Sequence, residues 1–250
     1  MKSAAARLSK GIIMAMMIHA GAAAAADSAK IEVSVVGVIP TLGLSIDLAG
    51  DSSLISTTRT AHSIDLGYAY GHGTDKQSFY RGDKQVVFGG EIFTTPQDLN
   101  YEMSIRFAHL GYRYRRYFGQ RELFGIEGLI GVGWASLGLT ATGRTQTASE
   151  YLSDGGAMLG FGALWRFRES TAMHLRLTGL STGADTGVTS ANRFEFGVSQ
   201  ALGRHFSLSA GVTRLSVYSA REDRVQSTPR NKSPINATAT GLGLGLNVIF

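Results

Sequence analysis

Eleven charged or histidine residues lie on the polar side of segments in which apolar and polar residues alternate. Carboxylates and guanidinium groups held away from water are costly unless they pair, so a mixed set of this kind favours ion pairs across an enclosed space. We expect this role for Asp47, Asp65, Glu102, Arg106, Arg113, Arg115, Glu127, Arg166, His174, Arg176 and Glu195. A salt-bridged interior network is the first interpretation, and a polar pore or a catalytic cluster is the alternative.

Within this set, His174 and Glu195 are the types that general acid and base chemistry requires, and they lie on neighbouring predicted strands. Thr178 and Ser199 are close in sequence, but no serine flanks His174. No pair of histidines has the spacing of metal ligands. We therefore expect no enzymatic activity, no metal and no cofactor, and an envelope hydrolase is only the third functional hypothesis.

Apolar residues recur at every second position through most of the chain. Odd residues form an apolar row between 157 and 167, and even residues do so between 242 and 250, opposite glycines. This period is typical of strands, whereas helices need a period of about 3.6 residues. The apolar row changes parity near His109 and across Pro40, which predicts a bulge at the first and a bulge or sheet edge at the second.

The alternating segments predict ten antiparallel strands. They lie near 31–48, 63–71, 85–94, 101–118, 122–140, 155–168, 171–181, 191–202, 205–218 and 238–250. Short connections alternate with long polar ones, as in transmembrane barrels, in which both termini lie on one side and the strand number is even. Eight strands is the alternative, with residues 49–100 as one outer loop.

Residues 1–26 have the pattern of a secretory signal peptide, with basic residues before an apolar run that ends in alanines. Removing this leader leaves 21 basic against 19 acidic residues, so the basic character lies largely in the leader and nucleic-acid binding is not supported. The absence of cysteine excludes disulfides and thiolate metal sites. Residues 27–250 contain no proline-rich or serine-rich linker and are expected to form one domain.

The leader, the repeated alternating strands and the terminal Phe250 together resemble the bacterial outer-membrane β-barrel family, as a small or porin-like barrel domain. The resemblance covers residues 31–250 and implies a transmembrane, antiparallel, up-and-down β-barrel in the outer membrane. In that family the last strand and its aromatic end are recognised by the barrel-assembly machinery, which makes Phe250 the expected assembly signal. A soluble β-sandwich is the alternative fold, although polar rows rich in glycine, alanine and serine fit a narrow lumen better.

The resemblance implies a monomeric integral membrane protein with a structural or surface-interaction role. A narrow channel for small solutes is the main alternative. The segment 219–234 is expected to be an outer loop whose cations could contact lipopolysaccharide phosphates, because arginine forms bidentate hydrogen bonds with phosphate. These residues are Arg221, Arg224, Arg230 and Lys232. A solvated loop with no ligand is the simpler interpretation.

Overall fold

The computed structural model describes residues 29–49, 60–80, 85–118, 123–168, 170–183, 187–203, 205–219 and 233–249. These residues form eleven strands: β1 (Ile31–Ala49), β2 (Thr60–Phe79), β3 (Val86–Phe88), β4 (Glu91–Phe93), β5 (Gln97–Phe118), β6 (Phe124–Thr142), β7 (Thr147–Arg168), β8 (Thr171–Ser181), β9 (Ser190–Ala201), β10 (Phe206–Ser219) and β11 (Ile235–Ile249). The predicted all-β fold is confirmed. In the part of the chain that is described, no helix is long and apolar enough to cross a membrane.

Nine strands form one sheet that closes on itself, in the order β1-β11-β10-β9-β8-β7-β6-β5-β2. All neighbours are antiparallel except β1 and β11, which run parallel with Ile31 opposite Ile235. This described ring differs from the predicted ten strands and from the alternative of eight. The segment 85–94 forms the separate β3–β4 hairpin, and β2 lies where the eight-strand alternative placed a loop. The described ring has an odd number of strands, so β1 and β11 start at the same end of the ring and run parallel.

Each strand keeps its two faces along its length, but the character of those faces reverses near the middle. In β5 the inward residues are apolar between 99 and 107 and polar at His109, Arg113 and Arg115. The outward residues are mostly polar between 98 and 106 and mostly apolar between 108 and 118. The surroundings of the strand therefore change along its axis while its pairing does not.

The bulge predicted at His109 was wrong for this reason. At Pro40 the edge alternative is confirmed instead of a bulge, because the ladder of β1 with β2 begins only at the next residue, Thr41. The pairing of β5 with both neighbours continues through His109 without a shift, and that of β1 with β11 continues through Pro40. The irregularity of β1 lies instead between Asp47 and Ala49, opposite β2. A change in the parity of an apolar row can thus report a change of surroundings rather than an inserted residue.

We divide the ring into two halves by the character of the outward face. The belt half has mainly apolar outward residues and comprises 36–48, 62–70, 108–118, 124–134, 157–167, 173–177, 194–198, 206–212 and 242–248. The distal half comprises the remaining residues of the nine strands together with the β3–β4 hairpin. The paired strand ends at Phe118 and Phe124, at Arg168 and Thr171, and at Ala201 and Ser207 lie at the end of the belt half, and the hairpin lies at the opposite end.

The distal half encloses a hydrophobic core. Tyr101, Met103, Ile105 and Phe107 of β5 are almost fully buried in it, together with inward residues of the other strands. Burial also raises the pKa of the Tyr101 hydroxyl, which has no hydrogen-bond partner among the described residues. Removal of this apolar surface from water is the main source of stability for this half.

The β3–β4 hairpin covers the end of the distal half. It contributes three buried apolar side chains to the core, Val86, Phe88 and Phe93. Its backbone is held by the amide of Ala29, which donates to Gln85 O at 3.0 Å, and by the amide of Ser233, which donates to Val87 O at 3.1 Å. The hairpin therefore closes this end of the ring.

The backbone hydrogen-bond ladder between β1 and β2 is confined to the belt half of the ring. Their pairing runs from Thr41, opposite Ala69, to the end of β1. Farther into the distal half, side chains connect the two strands: Ser34 N donates to Asp75 Oδ2 at 2.7 Å and Glu32 N donates to Gln77 Oε1 at 3.2 Å. These side chains satisfy backbone donors that a ladder would otherwise satisfy.

Candidate functional site

Strand register alone places charges of opposite sign next to each other inside the belt half. Arg115 of β5 is opposite Glu127 of β6, which is opposite Gly162 of β7. Gly162 is in turn opposite Arg176 of β8, and Arg176 is opposite Glu195 of β9. One row around the ring thus carries two arginines and two glutamates on its inner face.

Glu127 lies at the centre of the network. Its Oε1 accepts from Arg113 Nη1 at 2.8 Å and from Arg176 Nε at 2.5 Å. Arg115 Nε is 3.5 Å from Glu127 Oε2. The glutamate is 4% exposed, so its charge is stabilised by three guanidinium groups rather than by water.

Asp65 extends the network to β2 and β1. Arg113 Nε donates to its Oδ2, so this arginine bridges Asp65 and Glu127. Asp65 Oδ1 also accepts from the hydroxyls of Ser45 at 2.7 Å and Ser63 at 3.0 Å. Three hydrogen-bond donors therefore hold this buried carboxylate between β1, β2 and β5.

A second group of polar residues comes from β8 and β9. Arg193 Nη2 donates to Glu195 Oε1 at 2.5 Å. His174 is buried, and its Nδ1 is 3.4 Å from Ser199 Oγ. The geometry therefore uses Glu195 in an ion pair and His174 in a contact with a hydroxyl, and both residues line one small cavity.

Glycines on the inner face give the network its space. A Cβ at Gly162 would lie 2.6 Å from Glu127 Oε1 and 2.8 Å from Leu175 O. A Cβ at Gly67 would overlap the ring of His109. The alternation of glycine with large apolar residues in these strands thus reflects a lumen too narrow for side chains on every strand.

Of the eleven predicted interior residues, eight point inward. They are Asp65, Arg113, Arg115, Glu127, Arg166, His174, Arg176 and Glu195. Arg166 lies apart from the network, with its guanidinium carbon 4.5 Å from the ring centre of Tyr117. Glu102 and Arg106 were assigned to the interior wrongly, because both are exposed on the outer face of the distal half.

The error at Glu102 and Arg106 has a simple cause. Their apolar neighbours Met103, Ile105 and Phe107 were expected to face outward, whereas in the distal half the apolar row faces the core. Arg193 and His109 were missed, although each is two or four residues from an interior charge on the same strand. Counting in steps of two residues from a predicted inward charge along the same strand would have identified both.

Several predicted residues lie outside the described part of the chain. They are residues 1–26, the four cations Arg221, Arg224, Arg230 and Lys232, and Phe250. The backbone of Asp47 is described and is opposite Ser63, but its side chain is not. Among the described residues, no group of three or more histidines, aspartates or glutamates could hold a metal ion.

Two cavities adjoin these features. A cavity of about 50 Å³ lies beside the network and is lined by residues that include Ser45, Asp65, His109, Arg115, Arg193, Glu195 and Asn247. A groove of about 350 Å³ lies on the outer face of the distal half. Its floor is the cross-strand row of His72, Ser104, Gly138 and Tyr151, and Glu102 and Thr140 lie beside it.

The chain was also compared with proteins that are already known. Neither the protein-family models, nor the curated proteins, nor the solved structures include a match to it.

Proposed function

We propose that this protein is an integral β-barrel of the bacterial outer membrane, with a closed lumen and a structural or surface-interaction role. The observation that carries the proposal is the apolar outer face of the belt half. All nine strands contribute large exposed apolar side chains to it, among them Leu42, Leu66, Leu110, Ile130, Val132, Leu159, Phe161, Leu175, Phe194, Leu208, Val212, Leu242 and Leu244. Soluble monomers rarely expose a continuous apolar patch larger than a few hundred Å².

The height of this apolar face supports a transmembrane position. In β6 the apolar outward residues run from 124 to 134, which is eleven residues. At about 3.3 Å per residue and a tilt of about 40°, such a segment covers roughly 25 Å along the barrel axis. Outer-membrane barrels carry an apolar band of about this height.

Aromatic residues lie at both edges of the belt half. Next to the short connections, the ring of Trp165 is 5.5 Å from that of Phe124 and 4.8 Å from that of Phe167. At the other edge, Tyr68 and Trp134 are in one cross-strand row. Aromatic girdles at the two membrane interfaces are typical of transmembrane barrels.

The filled interior favours a structural role over a channel. The ion-pair network occupies the belt half, and the hydrophobic core and hairpin occupy the distal half. A barrel of this size has an interior just wide enough for side chains to fill. Because the ion-pair network fills one half and the hydrophobic core fills the other, a narrow channel is the less supported alternative.

A pair of lysine substitutions on β6 tests the membrane position. Ile130 and Thr140 both lie on the outer face, Ile130 in the belt half and Thr140 in the distal half. In lipid vesicles we expect Ile130→Lys to lower the free energy of unfolding by about 2–4 kcal/mol and Thr140→Lys to change it by less than about 1 kcal/mol. Equal small effects, with a chain that folds in water without detergent, would contradict the proposal.

The outer groove is the surface feature that supports an interaction role. It lies just beyond the apolar belt and offers the ring of Tyr151, the carboxylate of Glu102 and the hydroxyl of Ser104. Such groups suit a saccharide, which stacks on aromatic rings and donates hydroxyl hydrogen bonds. We expect delipidated lipopolysaccharide core oligosaccharide to bind in calorimetry, and Tyr151→Ala to abolish binding while Tyr80→Ala preserves it. Absence of binding would leave the structural role alone.

A further inference from the structure

We infer that the cavity beside the ion-pair network holds a small monovalent anion of the size of chloride. The inference goes beyond the proposed membrane role and concerns the interior of the protein. It is carried by three independent features of the described residues: the balance of charge, the unsatisfied donors and the size of the cavity.

The described network has more positive than negative charge. Four arginines, Arg113, Arg115, Arg176 and Arg193, face three carboxylates, Asp65, Glu127 and Glu195. The side chains of all seven are at most 17% exposed. An uncompensated charge in such an interior is strongly unfavourable, so one more negative charge would stabilise the arrangement.

Three buried polar atoms beside the cavity lack hydrogen-bond partners. They are the Nε atoms of Arg115 and Arg193 and the Nδ1 atom of His109. These residues are 3%, 7% and 9% exposed, and all three line the cavity. Arg115 Nε already faces Glu127 Oε2 at 3.5 Å, so Arg193 Nε is the donor that lacks an acceptor, and His109 supplies a second donor when its proton is on Nδ1.

The remaining lining groups are compatible with an anion. Asn247 and Ser209 line the cavity and can donate hydrogen bonds. The carboxylates of Asp65 and Glu195 also line it, but each is paired with an arginine, Arg113 and Arg193 respectively. Their charge is therefore already matched within the network.

The cavity volume is sufficient for a small anion. A cavity of about 50 Å³ exceeds the roughly 10–15 Å³ that one water requires. A monatomic halide therefore fits this space.

The test uses the full-length mature protein refolded in detergent. We expect the urea midpoint of unfolding to rise when chloride or bromide replaces gluconate at constant ionic strength, because an anion that binds only the folded state stabilises it. A crystal grown in bromide should show an anomalous peak in the cavity within hydrogen-bond distance of Arg193 Nε. Arg193→Gln should remove the halide dependence, and Arg166→Gln, at the buried arginine outside the cavity, should retain it.

Two outcomes would overturn the inference. One is a wild-type midpoint that is the same in gluconate and chloride, as expected if Asp47, whose backbone is opposite Ser63, supplies a fourth negative charge. The other is water without a bromide peak at the cavity, which can be decided on the wild type even if Arg193→Gln does not fold. Neither outcome depends on the Ile130→Lys experiment, so failure of the two proposals is distinguishable.

Discussion

At the scale of single residues, Glu127 is the acceptor on which the interior depends. Its carboxylate is contacted by arginines from β5 and β8. Because it is buried, its loss leaves guanidinium charges without a partner in a region of low polarity. This residue should therefore be far more sensitive to substitution than an exposed glutamate.

We predict that Glu127→Gln lowers the free energy of unfolding by about 3 kcal/mol, the usual cost of breaking a buried ion pair. Urea unfolding in detergent micelles, followed by tryptophan fluorescence, measures the change. Glu102→Gln is the matched control, because Glu102 is exposed on the outer face and its loss should cost less than about 0.5 kcal/mol. Similar values for the two variants would mean that Glu127 does not organise the interior.

A second residue-scale prediction concerns the space that glycine leaves. Gly162→Ala should lower the free energy of unfolding by about 1–3 kcal/mol, because the added Cβ would lie 2.6 Å from Glu127 Oε1 and 2.8 Å from a backbone oxygen. Gly128→Ala is the control, since a Cβ there meets nothing within 4 Å. The same unfolding assay compares them, and a tolerated Gly162→Ala would show that the network can shift.

At the scale of elements, the parallel seam between β1 and β11 decides how the ring closes. Val38 of β1 is opposite Leu242 of β11, and both side chains face outward. Gly241, one residue earlier, faces the interior. The register of this seam is therefore open to direct measurement by cross-linking.

We predict that the double variant Val38→Cys/Leu242→Cys forms a disulfide on mild oxidation of the folded protein, because directly paired residues have a suitable Cα separation. The natural chain has no cysteine, so no other disulfide can form in the variant. Val38→Cys/Gly241→Cys should stay reduced, since its side chains point to opposite faces. Mobility on non-reducing gels reports both results, and the reverse pattern would refute the parallel register.

At the scale of the whole molecule, two unlike closures fill the interior. Ion pairs close the belt half, and apolar side chains with the β3–β4 hairpin close the distal half. We propose that either closure on its own would block the passage of ions, so the molecule should stay closed even when one closure is weakened.

We predict no steady conductance for the protein in planar lipid bilayers. The double variant Arg113→Ala/Glu127→Ala, which removes an ion pair from the belt half, should stay silent because the distal core is untouched. Single-channel recording on folded, heat-modifiable protein makes the comparison. Steady openings of the wild type would support the channel alternative, and openings of the variant alone would show that the distal half does not seal.

Strands and their inner rows were accessible from the sequence because side chains alternate strictly across a strand. Each strand of the ring overlaps a predicted segment, and Arg113, Glu127, Arg176 and Glu195 point inward as expected. Alternation separates the two faces of a strand but does not show which face points inward. Glu102 and Arg106 were therefore placed on the wrong face.

The sequence by itself determined the all-β character, the two faces of each strand and most charges of the interior, because these follow from local periodicity. Only the tertiary structure decided the nine-strand closure, the parallel pairing of β1 with β11 and the reversal of the faces between the two halves. Register and closure depend on contacts between residues some 200 positions apart, such as Val38 and Leu242, and such contacts leave no periodic trace in either segment.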